Sequence, residues 1–598
     1  MVEYPCIIFL MQGCFFMNYI EDFFNKRIKE CSYKNIVTKL IMAIVMTSFF
    51  FTKTSDYEFD TAEYFTNISF GKYMAMAALI FALLFFLIPE KFNGHLMITS
   101  VTALFLITNY QDRGIYLALL TSVVAGGFCY YYGYSIKLPK LTKKGLIILC
   151  CVLGGLLALF IGGLTILKYL GHKTPNFDFG IFSQMYHYMS KTLVPFTTCE
   201  RDMLLSHFAV HFSPILYLGL PLYWIFPDPS TLLATQAIVV ALGVVPLYKL
   251  SKHFKLSNYK ILAVVLIYVL HPTVIANNFY YFHENCYLTV LLLWTFYFAE
   301  KGKSIPMFIF AFLTMMVKED APIYILFFGL YLLVSNKSKL KGSILCGISA
   351  LYFAVVTKLM AIYGQGIMTY RYDNFIFEKD GNIYDVILNV IKNPTYTLQQ
   401  LLTPEKLQFL ILMLVPMALL PLAIKKPSRI VLLFPLILMN LMTDYKYQYD
   451  ISFQYTYATV AFLFYLTVIN VSELDLKHAK NLLLCGVCSS LIFFSSVNYS
   501  RLDTIDYYNK DKEKSEIITE ALATIPMDKS IKSTTFFIPA LWNRDEVYEY
   551  EYSDEETDYV VFDLRYGNDD YDSFKFDNSE TYEEILYKER AIAIFKAK

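Results

Sequence analysis

The chain has 598 residues, of which 56% are hydrophobic, 17% aromatic and 17% charged, and its formal net charge is zero; its mean hydropathy is +0.44. A soluble domain carries about a quarter charged residues and a soluble core stops growing at roughly 250–300 residues, so this composition excludes one water-soluble globule and calls for lipid. Zero net charge gives a nucleic-acid partner no electrostatic support, and none is expected.

Residues 1–20 are apolar but lack a basic leader and a small-residue cleavage site, and read as an interfacial or uncleaved segment. Backbone amides in hydrocarbon must be satisfied within their own segment, so apolar runs of about 17–25 residues read as helices. Such runs occur at 35–51, 72–88, 95–110, 115–134, 145–170, 230–250, 261–277 and 284–299. Further runs occur at 305–317, 321–334, 343–363, 407–424, 430–442, 453–471 and 482–498. The pattern predicts an α-helical polytopic membrane protein with about fifteen transmembrane helices. Residues 208–226 are apolar too, but they hold Pro214 and Pro221. Proline inside a crossing helix removes a backbone hydrogen bond, so a hairpin or juxtamembrane helix is expected there. The cysteines lie in apolar stretches and none follows Cys488, which leaves the tail without a disulfide framework.

Short loops rich in Lys and Arg stay cytoplasmic. The loops at 137–144, 249–260, 301–303, 337–341 and 425–429 are all basic. Placing them inside requires that 208–226 not cross; the amino terminus, with Lys26, Arg27, Lys29 and Lys34, then lies inside and the tail outside. In that tail, 512–524 has helical spacing and 532–538, 559–564 and 591–596 read as strands, a small C-terminal α/β extracytoplasmic domain. Three segments are expected: 1–140, an added amino-terminal membrane segment; 141–498, the membrane core with outer loops at 171–229 and 364–405; and 499–598, the soluble domain.

Ionisable groups near hydrocarbon are costly and usually functional, and here they fall on the outer face. They are Asn176 and Asp178; His207 and His211; Asn277, Asn278, His283 and Glu284; Lys318, Glu319 and Asp320; Tyr370, Arg371, Tyr372 and Asp373; and the run from Asp444 to Tyr449. Each has a plain reading beside the functional one. Lys318–Asp320 suits a solvated turn, the histidines suit interfacial positions, Asp178 suits a helix cap, and the tyrosines suit an aromatic belt. No Walker motif, dinucleotide glycine fingerprint or zinc-protease pair appears. An enzyme on this face would need a substrate that arrives already activated, such as a lipid-phosphate sugar, with a base for the incoming hydroxyl and cations or a metal for the leaving phosphate.

The run from Phe177 to Gln184 (FDFGIFSQ) resembles the signature of the membrane proteins called domain of unknown function 2079. So do 211–218 (HFSPILYL), 317–321 (VKEDA), Gln448-Tyr449 followed by Gln454-Tyr455, 538–544 (IPALWNR) and 558–563 (DYVVFD). The family's aromatic-His-Pro-Glu stands here as Phe282-His283-Glu284-Asn285, a departure. The likeness runs from about residue 145 to the end, leaving the first four spans as an addition. That family in turn resembles the GT-C glycosyltransferases, which implies a GT-C-like bundle, a polyprenyl-phosphate sugar donor and an acidic active-site residue in the first outer loop. On that resemblance Asp178 is the expected general base or acceptor anchor. Lys318 and Arg371 are candidates for the leaving phosphate. Glu319, Asp320 and His211 are candidates for a second polar shell or a metal, and Tyr372, Gln448 and Tyr449 for substrate binding.

The resulting expectation is a membrane glycosyltransferase in the cytoplasmic membrane, acting in envelope glycan synthesis on an acceptor whose identity is open. Membrane lipid and the lipid-linked sugar are its partners, and a divalent metal is an open question because GT-C enzymes differ in needing one. The alternatives are a transporter or flippase of lipid-linked or small solutes, and a non-catalytic scaffold using the acidic tail. The topology has a direct check. In a cysteine-free variant, Asn374→Cys and Asp577→Cys should react with an impermeant maleimide in intact cells while Lys339→Cys should not; reversal of the Asn374 and Lys339 results would invert the assignment.

Overall fold

The computed structural model describes residues 25, 32–58, 61–137, 139–378 and 383–598; the apolar segment 1–20 and Lys26, Arg27 and Lys29 lie outside the described residues. The chain forms two compact units, Met1–Lys140 with Asp475–Ser496, and Leu141–Leu474 with Val497–Lys598.

The first unit contains helices Tyr33–Thr54, Phe70–Leu87, Asn93–Gln111 and Ile115–Tyr132. Ser32 and Ser69 cap the first two by accepting from the amides of Asn35 and Lys72. Lipid supplies no hydrophobic drive between helices, so small and polar side chains join them. Asn93 donates to Asn35 at 2.8 Å and Asn109 to Thr121 at 2.9 Å. Helix Leu476–Val497, expected in the core, belongs to this unit. Asn481 donates to the Tyr130 carbonyl at 2.8 Å, Ser495 to the Leu106 carbonyl at 2.6 Å, and Cys488 meets Cys129 at 3.4 Å. Hydropathy reports that a helix prefers lipid, not which helices it packs against.

Among the described residues eight helices are long and apolar enough to cross a membrane, or nine if the bent pair Asn258–Leu270 and Pro272–Tyr280 is one span. Of the other expected spans, 95–110 is one continuous helix of 19 residues, Asn93–Gln111, and the rest are shorter or broken. Cys286–Glu300, Ser304–Met315 and Pro322–Val334 have 15, 12 and 13 residues, and a 13-residue helix rises only about 20 Å against a hydrocarbon core of about 30 Å. The run 407–424 breaks at Ala418 and Leu419, both left-handed, between Pro416 and Pro421. Such a break survives where protein satisfies the freed carbonyls, and Asn470 donates to those of Leu420 and Pro421 at 3.0 Å each. In 208–226 the longest helix is Leu220–Ile225, six residues.

After the long helix Lys143–Leu170 the chain passes through the turn Asn176–Gly180, helix Ile181–Thr192 and a hairpin of β1 (Phe196–Thr197) with β2 (Leu205–Ser206). At the far end of the chain, helix Asp503–Ala523 precedes β3 (Ile531–Ser533), β4 (Val547–Glu549), β5 (Tyr559–Asp563), β6 (Tyr582–Lys588) and β7 (Ile592–Ala597). They form one sheet, ordered β4-β3-β5-β7-β6, with β3, β4 and β5 parallel and β7 antiparallel to both its neighbours.

The sheet grips the early loop. Arg565 pairs with Asp563 (Nη2 to Oδ2, 2.6 Å) and donates to the carbonyls of Gly171 at 3.0 Å and His172 at 2.6 Å. Ile181 and Cys199 share a hydrophobic core with Ile518, Ile531, Phe537, Val561 and Ile592. Removing one partner of a buried ion pair strands the other, so Arg565→Met should cost about 3–5 kcal/mol of stability. Lys529→Met, at the exposed pair with Asp558, should cost at most about 1 kcal/mol. Thermal denaturation of the purified variants compares them, and equal losses would contradict the clamp.

Candidate active site

Asp178 stands in the kinked turn Asn176–Gly180, where Phe177 has an extended ψ of 116°. Gly180 is required there, because a Cβ would lie 2.4 Å from Asn176 Oδ1 and 2.8 Å from Ile538 Cγ2. Asn176 is pinned from three sides: its amide donates to Thr535 Oγ1 at 3.1 Å, and its side chain donates to Glu549 at 2.7 Å and the Cys199 carbonyl at 3.0 Å. One residue later but one position round the turn, Phe177 and Asp178 face a cavity of about 440 Å³.

The cavity is lined on one side by Asp178, Glu200, Arg201, His207, His211 and His283, and on the other by Arg371 and an aromatic wall that includes Tyr280, Tyr445, Tyr447, Phe453 and Tyr455. The histidines are each approached by a glutamate. His207 Nδ1 lies 2.9 Å from Glu200, His211 Nδ1 2.9 Å from Glu319, and His283 Nδ1 3.0 Å from Glu284. His283 Nε2 is 3.8 Å from Asp178 Oδ2. Glu284, fully buried, also meets Lys318 at 3.3 Å and accepts from Ser213 at 3.3 Å. Glu319 takes a second hydrogen bond from the Phe212 amide at 3.2 Å.

These pairings set the charges. Burial would raise the Glu319 carboxyl, but His211 and Lys318 hold it down at about 2. Burial would likewise raise Glu284, and His283 and Lys318 outweigh it, keeping it well below the usual carboxylate range. For Lys318 burial works against the charge, yet Glu284 and Glu319 leave it raised. Asp320 goes the other way: burial and the neighbouring Glu319 push it up to about 6.

Of the residues given a role in the expected site, Asp178, His211 and Arg371 line the cavity, as do the polar interruptions His207, His283, Tyr370, Tyr445 and Tyr447. Arg371 is anchored by its own backbone, whose carbonyl accepts from Thr443 and Asp444, and its guanidinium lies 5.0 Å from the ring centres of both Tyr445 and Tyr455. Its Nε is buried with no hydrogen-bond partner among the described residues. Lys318 and Glu319 stand one layer behind, bound to Glu284 and His211. Asp320 is half-buried beside them. The other three turn away: the Tyr372 hydroxyl donates to the Leu438 carbonyl, Gln448 is buried, and Tyr449 packs over Lys406 and donates to the Asp444 carbonyl. Glu200 and Arg201 carried no sequence signal beyond a charged pair in a loop. His207 and His283 stood out as polar interruptions, but their glutamate partners are seven residues away in one case and adjacent in the other, spacings with no diagnostic value. For a metal, the histidine, aspartate and glutamate types are suitable, but among the described residues no three such groups, cysteines included, are arranged to hold an ion.

The eight or nine apolar spans and the polar cavity define a multi-pass membrane protein. A family model described as a predicted membrane protein, DUF2079, matches residues 173–593, and the chain belongs to that family. No curated protein matches it. Among solved structures, ArnT from Cupriavidus metallidurans bound to undecaprenyl phosphate is similar at a TM-score of 0.44 and 8% identity, over 76% of this chain and 98% of that one.

The raised Asp320 carboxyl carries a prediction with a definite sign. An acid whose pKa is higher folded than unfolded binds its proton more tightly in the native state, so it weakens the fold once pH rises through the folded value of about 6. Asp320→Asn should therefore stabilise the protein at pH 8, by about 1–3 kcal/mol, and do little at pH 4. Melting curves at the two pH values check this; a loss of stability at pH 8 would show that Asp320 is held as a favourable ion.

Proposed function

We propose that the protein is a GT-C-type glycosyltransferase that moves a sugar from a polyprenyl-phosphate donor to an extracytoplasmic acceptor in envelope glycan synthesis. The observation that carries this reading is one cavity in which a partly open carboxylate, Asp178, shares the walls with two guanidinium groups, Arg201 and Arg371, and a bank of tyrosines. The Asp178 side chain is 21% exposed, whereas Glu284 behind it is at zero, so Asp178 is the carboxylate within reach of a substrate. Transfer needs that set: a base or anchor for the attacking hydroxyl, fixed cations for the phosphate that departs, and flat apolar faces for the sugar ring. An already activated donor also fits a chain without a nucleotide-binding motif. The lysine-rich loop 137–144, at the start of the long apolar helix Lys143–Leu170 that leads to Asp178, supports the outer side as the place of reaction.

A transporter would carry its polar groups on broken helices near the bilayer midplane. The bent pair Asn258–Leu270 and Pro272–Tyr280 is the obvious place, but the histidine and asparagines at and after its bend serve the fold. His271 contacts the Met413 carbonyl at 3.2 Å, Asn277 donates to Thr456 at 3.2 Å, and Asn278 donates to the Val274 carbonyl at 2.8 Å.

Two variants separate the roles. Asp178→Asn keeps the shape and, if the residue only caps a helix, nearly all of its effect, since Asn and Asp rank together as N-caps. If Asp178 is the base, sugar transfer should fall by about two to four orders of magnitude at unchanged protein level and stability. Arg371→Met should weaken binding of undecaprenyl phosphate by about 1.5–3 kcal/mol, the worth of a hydrogen bond to a charged group. Near-normal transfer by the first variant would remove Asp178 from the chemistry, and unchanged lipid binding by the second would remove Arg371 from the phosphate site.

A further inference from the structure

We propose that His207, held by Glu200, is the proton donor to the departing phosphate of the lipid donor, acting opposite Asp178. The inference rests on the glycosyl-transfer reading and adds the acid that the reading leaves unassigned.

The β1–β2 hairpin brings the pair together. Its strands pair Phe196 with Ser206 and Thr197 with Leu205, and the His207 amide donates to the Pro195 carbonyl at 2.7 Å. Glu200, in the loop between the strands, thereby reaches His207 Nδ1 at 2.9 Å in good hydrogen-bond geometry. The imidazole is further fixed by the edge-to-face ring of Phe182, 5.4 Å away between centres. Both residues line the cavity, and both are more than nine-tenths buried. The remaining ring nitrogen, Nε2, is buried and has no partner among the described residues. A buried polar atom left unpaired in the wall of a polar cavity is a costly feature unless a ligand meets it.

The charged and titratable groups around His207 are Glu200, His211, Glu284 and Lys318. Burial and Lys318 work against its proton, yet Glu200 prevails and the imidazole is raised above its ordinary value. Glu200 is correspondingly held down against the effect of its own burial by His207. Glu200 thereby favours the protonated imidazole, whose Nε2–H is the proton to be given. His211 differs: burial and Lys318 lower it despite Glu319, so the two neighbouring histidines are not equivalent.

The step then balances. The acceptor oxygen bonds to the anomeric carbon as the bond from that carbon to the phosphate oxygen breaks. The phosphate leaves with the electron pair and takes the Nε2 proton of His207, while the acceptor hydroxyl gives its proton to Asp178. The net change moves one hydrogen from the acceptor to the lipid phosphate, and exchange with water restores both side chains.

The test uses the purified full-length protein with undecaprenyl-phosphate-linked glucose, mannose and aminoarabinose as probes, following release of the sugar from lipid across pH. Activity that needs the imidazolium is lost as pH rises through its pKa. Glu200→Gln removes the charge that raises this pKa, so the alkaline limb should move down by about one pH unit or more. His207→Gln keeps a hydrogen-bond donor but cannot give a proton; kcat should fall by roughly a hundredfold or more, with KM for the lipid near wild type and the alkaline limb gone. Melting curves and binding of undecaprenyl phosphate show that the variants are folded. Wild-type alkaline limbs in both folded variants would overturn the role of His207. Failure of the wild type to release sugar from any probe, with no binding of undecaprenyl phosphate, would instead overturn the glycosyl-transfer reading on which it rests.

Discussion

The hold of the carboxy-terminal sheet on the loop that follows the helix Lys143–Leu170 is the constraint on which the site depends. That loop is irregular, and irregular backbone at a membrane surface has few partners of its own. Here the partners come from over three hundred residues away in sequence. Arg565 binds the carbonyls of Gly171 and His172; Thr535 and Glu549 bind Asn176; and Val547 exchanges hydrogen bonds with Thr198, its carbonyl accepting at 2.6 Å and its amide donating at 3.1 Å. Gln184 adds contacts to the carbonyls of Arg544 and Asp545 at 3.2 Å each. The turn bearing Asp178 and the hairpin bearing Glu200 and His207 are thus fixed by one sheet, which accounts for its place in the same compact unit as the helices. A site held this way keeps its geometry without paying ordering entropy at each encounter.

Behind the loop lies a second requirement. Buried charges are expensive unless each finds a partner, and each buried carboxylate here has one: Glu319 with His211, Glu284 with Lys318 and His283, Glu200 with His207. Lys318 carries much of this balance. It stands between carboxylates and does not line the cavity. Arg371 has its guanidinium 5.0 Å from the ring centres of both Tyr445 and Tyr455, and its Nε has no hydrogen-bond partner among the described residues.

The membrane character and the location of the polar residues were legible in the sequence because both follow from local composition: charge is rare in apolar runs, so Asp178, His211 and Arg371 stand out. What local composition does not encode is orientation. Tyr372, Gln448 and Tyr449 share the same stretches as cavity residues and face elsewhere, and Lys318 turns to an acid 34 residues earlier in the chain. The apolar runs form helices of unequal length for a related reason. Hydropathy does not fix helix length: 343–363 lies in the 25-residue helix Lys339–Tyr363, whereas 305–317 and 321–334 give helices of 12 and 13 residues. In the tail, β4 is only three residues long, and β6 is an edge strand whose Glu583, Glu584 and Lys588 mask an alternating pattern of half-buried and exposed positions.

The central claim is that the cavity beside Asp178 receives the phosphate of a lipid-linked sugar. A cryo-electron microscopy structure of the full-length protein with added undecaprenyl phosphate tests it most directly. The account predicts phosphate density in the cavity within hydrogen-bonding distance of Arg371, on the side of the aromatic wall, with His207 and Asp178 facing the space where the sugar joins it. Phosphate density bound elsewhere on the protein, with this cavity empty at saturating lipid, would contradict it.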